Sequence, residues 1–224
     1  MRFKSPLGIQ LCLLPLLLFT VVACKDKVEP QLTENAPCSG VSFKIRDSAF
    51  NMVYPDYEPA RVAKAKQLLS DRIEADSNCQ ELVTSLALLQ ARDKEYEALR
   101  KTYRHLLRLE PRNPGHMSMM GLVQEALGNE EVAFRKYRMA ADVYYAILDS
   151  MDEETSINQE AYLKFNRGLC KLLAGQEAEA HELIREVHAA VQDSVMQDAI
   201  DPFLTISRSE YIDLIWSGEV EARP

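Results

Sequence analysis

Two stretches decide the fold: residues 83–111, VTSLALLQARDKEYEALRKTYRHLLRLEP, and residues 117–145, MSMMGLVQEALGNEEVAFRKYRMAADVYY. They repeat one pattern at a spacing of 34 residues. Similar residues align at that spacing: Leu86 with Met120, Ala87 with Gly121, Gln90 with Gln124, Leu99 with Ala133, Tyr103 with Tyr137 and Leu106 with Ala140. A fixed period of this length predicts stacked pairs of helices, in which each pair covers the apolar face of its neighbour.

This pattern resembles the tetratricopeptide repeat (TPR), a unit of two antiparallel helices with a period of about 34 residues. The best match covers residues 113–140, where Gly121 occupies the close-packing position of the first helix and Gly128 the turn between the helices. Residues 80–113 match less well, because Lys94 stands where the family has its turn glycine. The resemblance implies that both segments are helix–turn–helix units.

A third unit comes after an insertion. Gly168 and Gly175 lie 47 residues after Gly121 and Gly128, which leaves about thirteen extra residues between the second and third units. The polar segment 148–160 fits that insertion. The resemblance therefore implies an all-α fold, a short right-handed TPR-type solenoid with about three repeats, a partial N-terminal unit and a C-terminal capping helix.

The rest of the chain is less regular. Residues 60–73 have the pattern of the second helix of a partial unit, whereas residues 41–59 alternate briefly between apolar and polar side chains and stay unassigned. Ser207 and Glu210 have the spacing of a capping box at the start of a last helix. The predicted divisions are a signal peptide (1–23), a lipidated cysteine with a tether (24–40), an N-terminal segment with a partial repeat helix (41–79), TPR-like repeats (80–194) and a C-terminal capping helix (195–224).

The N-terminus has the layout of an export signal. Arg2 and Lys4 precede a short apolar stretch, residues 7–23, that Pro15 interrupts. The ending Val-Val-Ala-Cys resembles the bacterial lipobox, and this resemblance implies cleavage before Cys24 and acylation of that cysteine. Several acyl chains would hold a water-soluble domain on a membrane. An ordinary cleaved signal and an uncleaved anchor are the alternatives.

The lipobox resemblance also implies a location. Lys25 follows Cys24 where the inner-membrane retention signal of enteric bacteria has aspartate, which favours the outer membrane, on its periplasmic face or at the cell surface. Cleavage would lower the basic residues from 26 to 24 against 34 acidic ones, a formal net charge of −10. An acidic body disfavours nucleic-acid partners, because binding them requires neutralising phosphates.

Three cysteines, Cys38, Cys79 and Cys170, remain after the cleavage site in a compartment that permits disulfides. An odd number allows at most one internal bridge, and the polar surroundings of Cys38 and Cys79 make them the favoured pair. Cys170 lies among leucines and is predicted to be a small core residue.

The sequence contains no nucleophile elbow, phosphate-binding loop or dinucleotide fingerprint, and we predict no catalytic residue, metal, cofactor or small-molecule substrate. His181 begins a partial zinc-protease motif, but Arg185 stands at the position of the second histidine. Binding is the remaining function. The TPR resemblance implies that first helices line a partner-binding groove, whose residues here would be Thr84, Leu88, Arg92, Ser118, Leu122, Glu125, Phe165 and Leu169.

We therefore expect a non-catalytic scaffold of the bacterial envelope that binds another envelope protein or a peptide segment of one. Two alternatives stay open. One is an accessory lipoprotein of an outer-membrane assembly or pilus machine, and the other is an inhibitor or immunity lipoprotein that blocks a toxin in the periplasm.

Overall fold

The computed structural model describes residues 38–54, 56–152 and 156–217. Over these residues the chain is helical, which confirms the predicted all-α class, and the described ranges contain no β-strand. The helices are α1 (Gly40–Val53), α2 (Pro59–Ala75), α3 (Gln80–Arg92), α4 (Tyr96–Leu109), α5 (Pro114–Ala126), α6 (Glu130–Asp149), α7 (Ile157–Leu173), α8 (Glu177–Ala190), α9 (Ser194–Ile200) and α10 (Arg208–Ser217), with a 3-10 turn (Asp201–Phe203) between the last two.

The predicted signal peptide, Cys24 and the tether up to residue 37 lie outside the described residues. Within the described part of the chain, none of the helices is both long enough and apolar enough to cross a membrane.

The helices fall into two compact units. Helices α1 to α5 belong to a first unit, which ends at Asn129, and helices α6 to α10 belong to a second unit, which begins at Glu130. In the first unit each helix packs against the next one in the chain; in the second, α6 packs on α7, α7 on α8, and α8 on α9. Neighbour-to-neighbour packing of this kind is what a helical repeat requires.

Helix α1 forms in a segment that the sequence pattern left unassigned. The Ser39 side chain caps it by accepting a hydrogen bond from the backbone N–H of Ser42 at 3.2 Å. Ser42, Ala49 and Val53 are buried along one side of the helix, and Val53 joins the apolar core of the first unit. The brief alternation in residues 41–45 therefore belongs to a helix, because the cap and the buried face outweigh a five-residue pattern.

Three turns share one geometry at the spacing found in the sequence. Lys94, Gly128 and Gly175 have φ angles of 56°, 79° and 79°. At the first turn, the N–H of Lys94 donates to the carbonyl of Ala91 at 3.0 Å and the N–H of Glu95 donates to that of Gln90 at 2.9 Å, and the other two turns repeat both hydrogen bonds. This is the Schellman motif, which uses a left-handed residue to end a helix. The turn residues that align in the three repeats therefore have the same backbone structure.

Gly168 allows α7 and α8 to approach closely. A Cβ atom at this position would lie 3.0 Å from the Cγ1 atom of Ile184 and 3.4 Å from the carbonyl oxygen of Ala180. The first distance is tighter than an ordinary contact and the second is at the limit of one, so a side chain at position 168 would require Ile184 to shift.

The C-terminal segment is more divided than the single capping helix expected over residues 195–224. It consists of α9, the 3-10 turn and α10, and the predicted capping box begins α10: the Ser207 N–H donates to Glu210 Oε2 at 2.8 Å, and the Glu210 N–H donates to Ser207 Oγ at 3.3 Å. The two histidines of α8 contact this segment. His181 Nε2 lies 2.9 Å from the carbonyl oxygen of Ile206, and His188 Nε2 lies 2.8 Å from Asp201 Oδ1.

Candidate functional site

The eight predicted groove residues do not share one environment. Arg92 is exposed, whereas Thr84, Leu88, Ser118 and Glu125 are half-buried. The other three are buried: Leu122 is 1% exposed, Phe165 3% and Leu169 4%. The structure therefore does not show one accessible groove through all eight positions. The predicted residues that remain as a candidate surface lie on α3 and α5.

Phe165 and Leu169 are core residues of the second unit. The ring of Phe165 contacts that of Phe203 edge to face at a centroid distance of 5.3 Å, and Phe203 contacts Tyr211 in the same way at 5.9 Å. The C-terminal segment thus covers this face of α7. The expectation that Phe165 and Leu169 are accessible is corrected, because an apolar residue at this repeat position lines a groove only where no later segment covers it.

A shared carboxylate holds the starts of α3 and α5 together. Glu110 Oε2 accepts hydrogen bonds from Gln80 Nε2 at 2.9 Å, at the start of α3, and from Asn113 Nδ2 at 2.6 Å, the N-cap of α5. His116 Nε2, in the first turn of α5, lies 3.2 Å from the same oxygen and 3.3 Å from Gln80 Nε2. The N-terminal ends of α3 and α5 are therefore held next to each other.

The electrostatics of this cluster keep Glu110 ionised. Its hydrogen bond with His116 makes the largest contribution to lowering its pKa, and the hydrogen bonds from Asn113 and Gln80 add to it. Burial acts in the opposite direction and is outweighed. The Glu110 carboxylate therefore connects the N-terminal ends of α3 and α5 at the base of the candidate surface.

The half-buried residues of α3 and α5 form the candidate binding face, which we define as Thr84, Leu88, Ser118 and Glu125. Thr84 and Leu88 follow Gln80 by one and two helical turns, so they share one side of α3. Ser118 and Glu125 are two turns apart on α5, and Ser118 is the repeat equivalent of Thr84. The face mixes apolar, hydroxyl and acidic groups, a composition suited to a peptide segment.

Arg92, at the C-terminal end of α3, already has a partner in the chain. Its guanidinium lies over the Tyr57 ring, 3.3 Å from the ring centroid. The Tyr57 hydroxyl donates to Asp93 Oδ1 at 2.7 Å, and Lys66 Nζ donates to Asp93 Oδ2 at 2.5 Å and to Glu95 Oε1 at 2.7 Å. This network ties the α1–α2 connection and α2 to the α3–α4 turn.

The pKa shifts in this network reflect its contacts. Burial, together with the hydrogen bond to Asp93, raises the pKa of Tyr57 far above its usual value. Burial alone would raise the pKa of Asp93, but the hydrogen bonds from Lys66 and Tyr57 outweigh it and lower that pKa. No sequence signal indicates this network, because Tyr57 and Asp93 are 36 residues apart and match no motif.

Cys38 and Cys79 form a disulfide with an S–S distance of 2.10 Å, which is the pair that the sequence favoured. Glu81 approaches the Cys38 sulfur, so these three residues cluster as potential metal ligands with their ligand atoms within 4.8 Å of one another. The bridge occupies both sulfurs, however, and a disulfide offers no thiolate to a metal. Cys170 lies outside the disulfide and is 3% exposed, in agreement with its predicted place in the core.

In comparisons with protein-family models, with curated proteins and with solved structures, nothing matches this chain.

Proposed function

We propose that the chain is a lipid-anchored scaffold of the bacterial envelope whose TPR-type helices bind a peptide segment of another envelope protein. The anchor would be the acylated Cys24, at the outer membrane, and the scaffold would have no catalytic role. One structural observation carries the proposal: the N-terminal ends of α3 and α5 are held next to each other, and Thr84 and Ser118, which are equivalent in the 34-residue repeat, are both half-buried. Repeat proteins bind partners through such surfaces.

The binding face has the features of a peptide site. Glu110 orders the base of the face through hydrogen bonds from both helices and their connection, so the helices are held in place before a partner arrives. A preorganised surface loses less entropy on binding. Thr84 supplies a hydroxyl group for a peptide backbone, and Leu88 supplies apolar area. The Ser118 hydroxyl donates to the carbonyl of Gly115 at 2.9 Å and offers its oxygen as an acceptor.

Site-specific photocrosslinking in cells tests the face. A photoreactive amino acid in place of Leu88 or Ser118 should produce a covalent adduct with the same envelope protein from both positions. Lys101 is the matched control, because it is exposed on α4 of the same unit, outside the face. Adducts from Lys101 equal to those from Leu88, or none from either face position, would contradict the proposed binding face.

Metabolic labelling tests the anchor separately. A palmitate analogue should tag the wild-type chain and should not tag Cys24→Ala, because the thiol of Cys24 is the proposed acyl acceptor. Cys170→Ala serves as the matched control and should keep the label. Equal labelling of wild type and Cys24→Ala would remove the anchor from the proposal without affecting the crosslinking result.

A further inference from the structure

A small cleft lies between α6 and α7 of the second unit and has a volume of about 200 Å³. Three residues of α6 and two residues of α7 provide most of its lining, and one residue after α7 completes it. The lining residues are Arg138, Ala141, Asp142, Arg167, Lys171 and Gln176. The volume is below the roughly 300 to 1,000 Å³ of pockets for drug-sized ligands, so the cleft suits a small chemical group.

The cleft concentrates positive charge in an acidic chain. Arg138, Arg167 and Lys171 lie with one lining carboxylate, Asp142, and Glu179 pairs with Lys171 and accepts a hydrogen bond from Gln176 at 3.2 Å, so this group of side chains has a formal charge of +1. The whole chain carries −8. Three cations on two packed helices repel one another, and an anion between them would relieve that repulsion.

The two arginines leave hydrogen-bonding capacity unused. The Nε–H of Arg167 is buried and has no hydrogen-bond partner in the described part of the chain. Arg138 donates from Nε to the carbonyl of Phe134 in its own helix, at a long 3.4 Å. Lys171, in contrast, pairs with Glu179. A guanidinium has five donors in a planar fork, so both arginines have donors left for a ligand.

Tyr145 fixes the orientation of one of these forks. The Arg167 guanidinium lies over the Tyr145 ring at 4.6 Å from the centroid, and Tyr145 is 52% exposed beside it. Stacking on an aromatic face restricts the guanidinium plane, so less freedom is lost when the fork binds an anion.

We propose that this cleft binds a phosphate group, either as free phosphate or as a phosphate monoester. A phosphate group offers three or more oxygens to the two arginine forks and Lys171, whereas a carboxylate offers only two. Arg138 and Arg167 would each donate to phosphate oxygens from opposite helices, and Lys171 would supply a point charge. This proposal is independent of the proposed peptide-binding face, whose residues lie on α3 and α5.

Titration calorimetry of the full chain with inorganic phosphate, at constant ionic strength, tests the cleft. We expect saturable binding below about 10 mM, with Arg138→Gln weakening it about tenfold or more, because one charge-assisted contact is lost. Asp142→Asn should tighten binding, since it removes the one repulsive carboxylate of the lining. Arg185→Gln, the same charge change at an exposed position of α8, should bind phosphate like wild type.

Three results would overturn the proposal. They are the absence of saturable phosphate binding by the wild-type chain, an equal loss in Arg185→Gln and Arg138→Gln, and acetate binding as tight as phosphate binding. A melting temperature of Arg138→Gln equal to that of wild type without ligand shows that the fold is intact. Tighter binding of a short-chain phosphatidic acid than of inorganic phosphate assigns the group to a lipid headgroup, and the reverse order assigns it to free phosphate.

Discussion

Helices α3 and α7 are equivalent first helices of two repeats, yet their equivalent residues have different environments. Thr84 and Leu88 of α3 are half-buried. Their counterparts on α7, Phe165 and Leu169, are 3% and 4% exposed. The difference arises from the later part of the second unit, because Phe203 packs on Phe165.

One repeat position therefore serves either as surface or as core. The second unit ends in a segment that folds back onto α7 and that the two histidines of α8 contact. This cover takes the place that a neighbouring repeat would occupy on the apolar face of α7. The face of α3 and α5 is left for a partner in the proposed function.

The largest expected effect comes from removing the cover. Phe203→Ala should destabilise the second unit by about 3 to 5 kcal/mol, because it leaves a cavity between Phe165 and Tyr211. Leu88→Ala, on the equivalent helix of the first unit, should cost less than about 1.5 kcal/mol, because its side chain is already partly hydrated. Urea denaturation with hydrogen exchange of α3 and α7 measures both. Equal losses would mean that the two helices are equally covered.

The second effect concerns the first unit. Replacing both Cys38 and Cys79 by serine should destabilise that unit by about 2 to 4 kcal/mol, because the bridge restricts the unfolded chain. The bridge spans 41 residues and joins the chain before α1 to the start of α3. Reductant should lower the stability of wild type and leave that of the double variant unchanged. Hydrogen exchange should show the loss in α1 to α3; a loss confined to α7 and α8 would contradict this.

The third effect is a pH dependence of stability, which we expect in the first compact unit and not in the second. The pKa of Glu110 is lowered in the folded state, so its contribution is present above the unfolded pKa of about 4.3 and is lost as the pH falls through the folded value. Glu110→Gln should cost about 1.5 kcal/mol at neutral pH and flatten the acid slope. Glu179 is the control from the second unit: its pKa is lowered through Lys171, but it is exposed, so Glu179→Gln should change the slope little.

The sequence predicted the parts of this structure that depend on local pattern. The helical period, the three equivalent turns and the Ser207 capping box all depend on residues close together in the chain. The exposure of Phe165 was predicted wrongly, because it depends on Phe203, 38 residues later. The network of Tyr57, Lys66 and Asp93 and the basic cleft between α6 and α7 had no sequence signal, because they join residues that only tertiary packing brings together.

The smallest effect concerns the helix-ending turns at Lys94 and Gly175. A glycine is introduced at the first turn and removed from the second. Lys94→Gly should stabilise the first unit by about 0.5 kcal/mol, because the left-handed strain that it relieves, about 1 kcal/mol, exceeds the added entropy of the unfolded chain. Gly175→Ala should destabilise the second unit by about 1 kcal/mol, since its φ of 79° disfavours any side chain although Phe134 Cε1 would lie 3.8 Å from the new Cβ. Melting temperatures of the two variants should therefore move in opposite directions. Movement in the same direction would show that the turns are equivalent in geometry and different in energy.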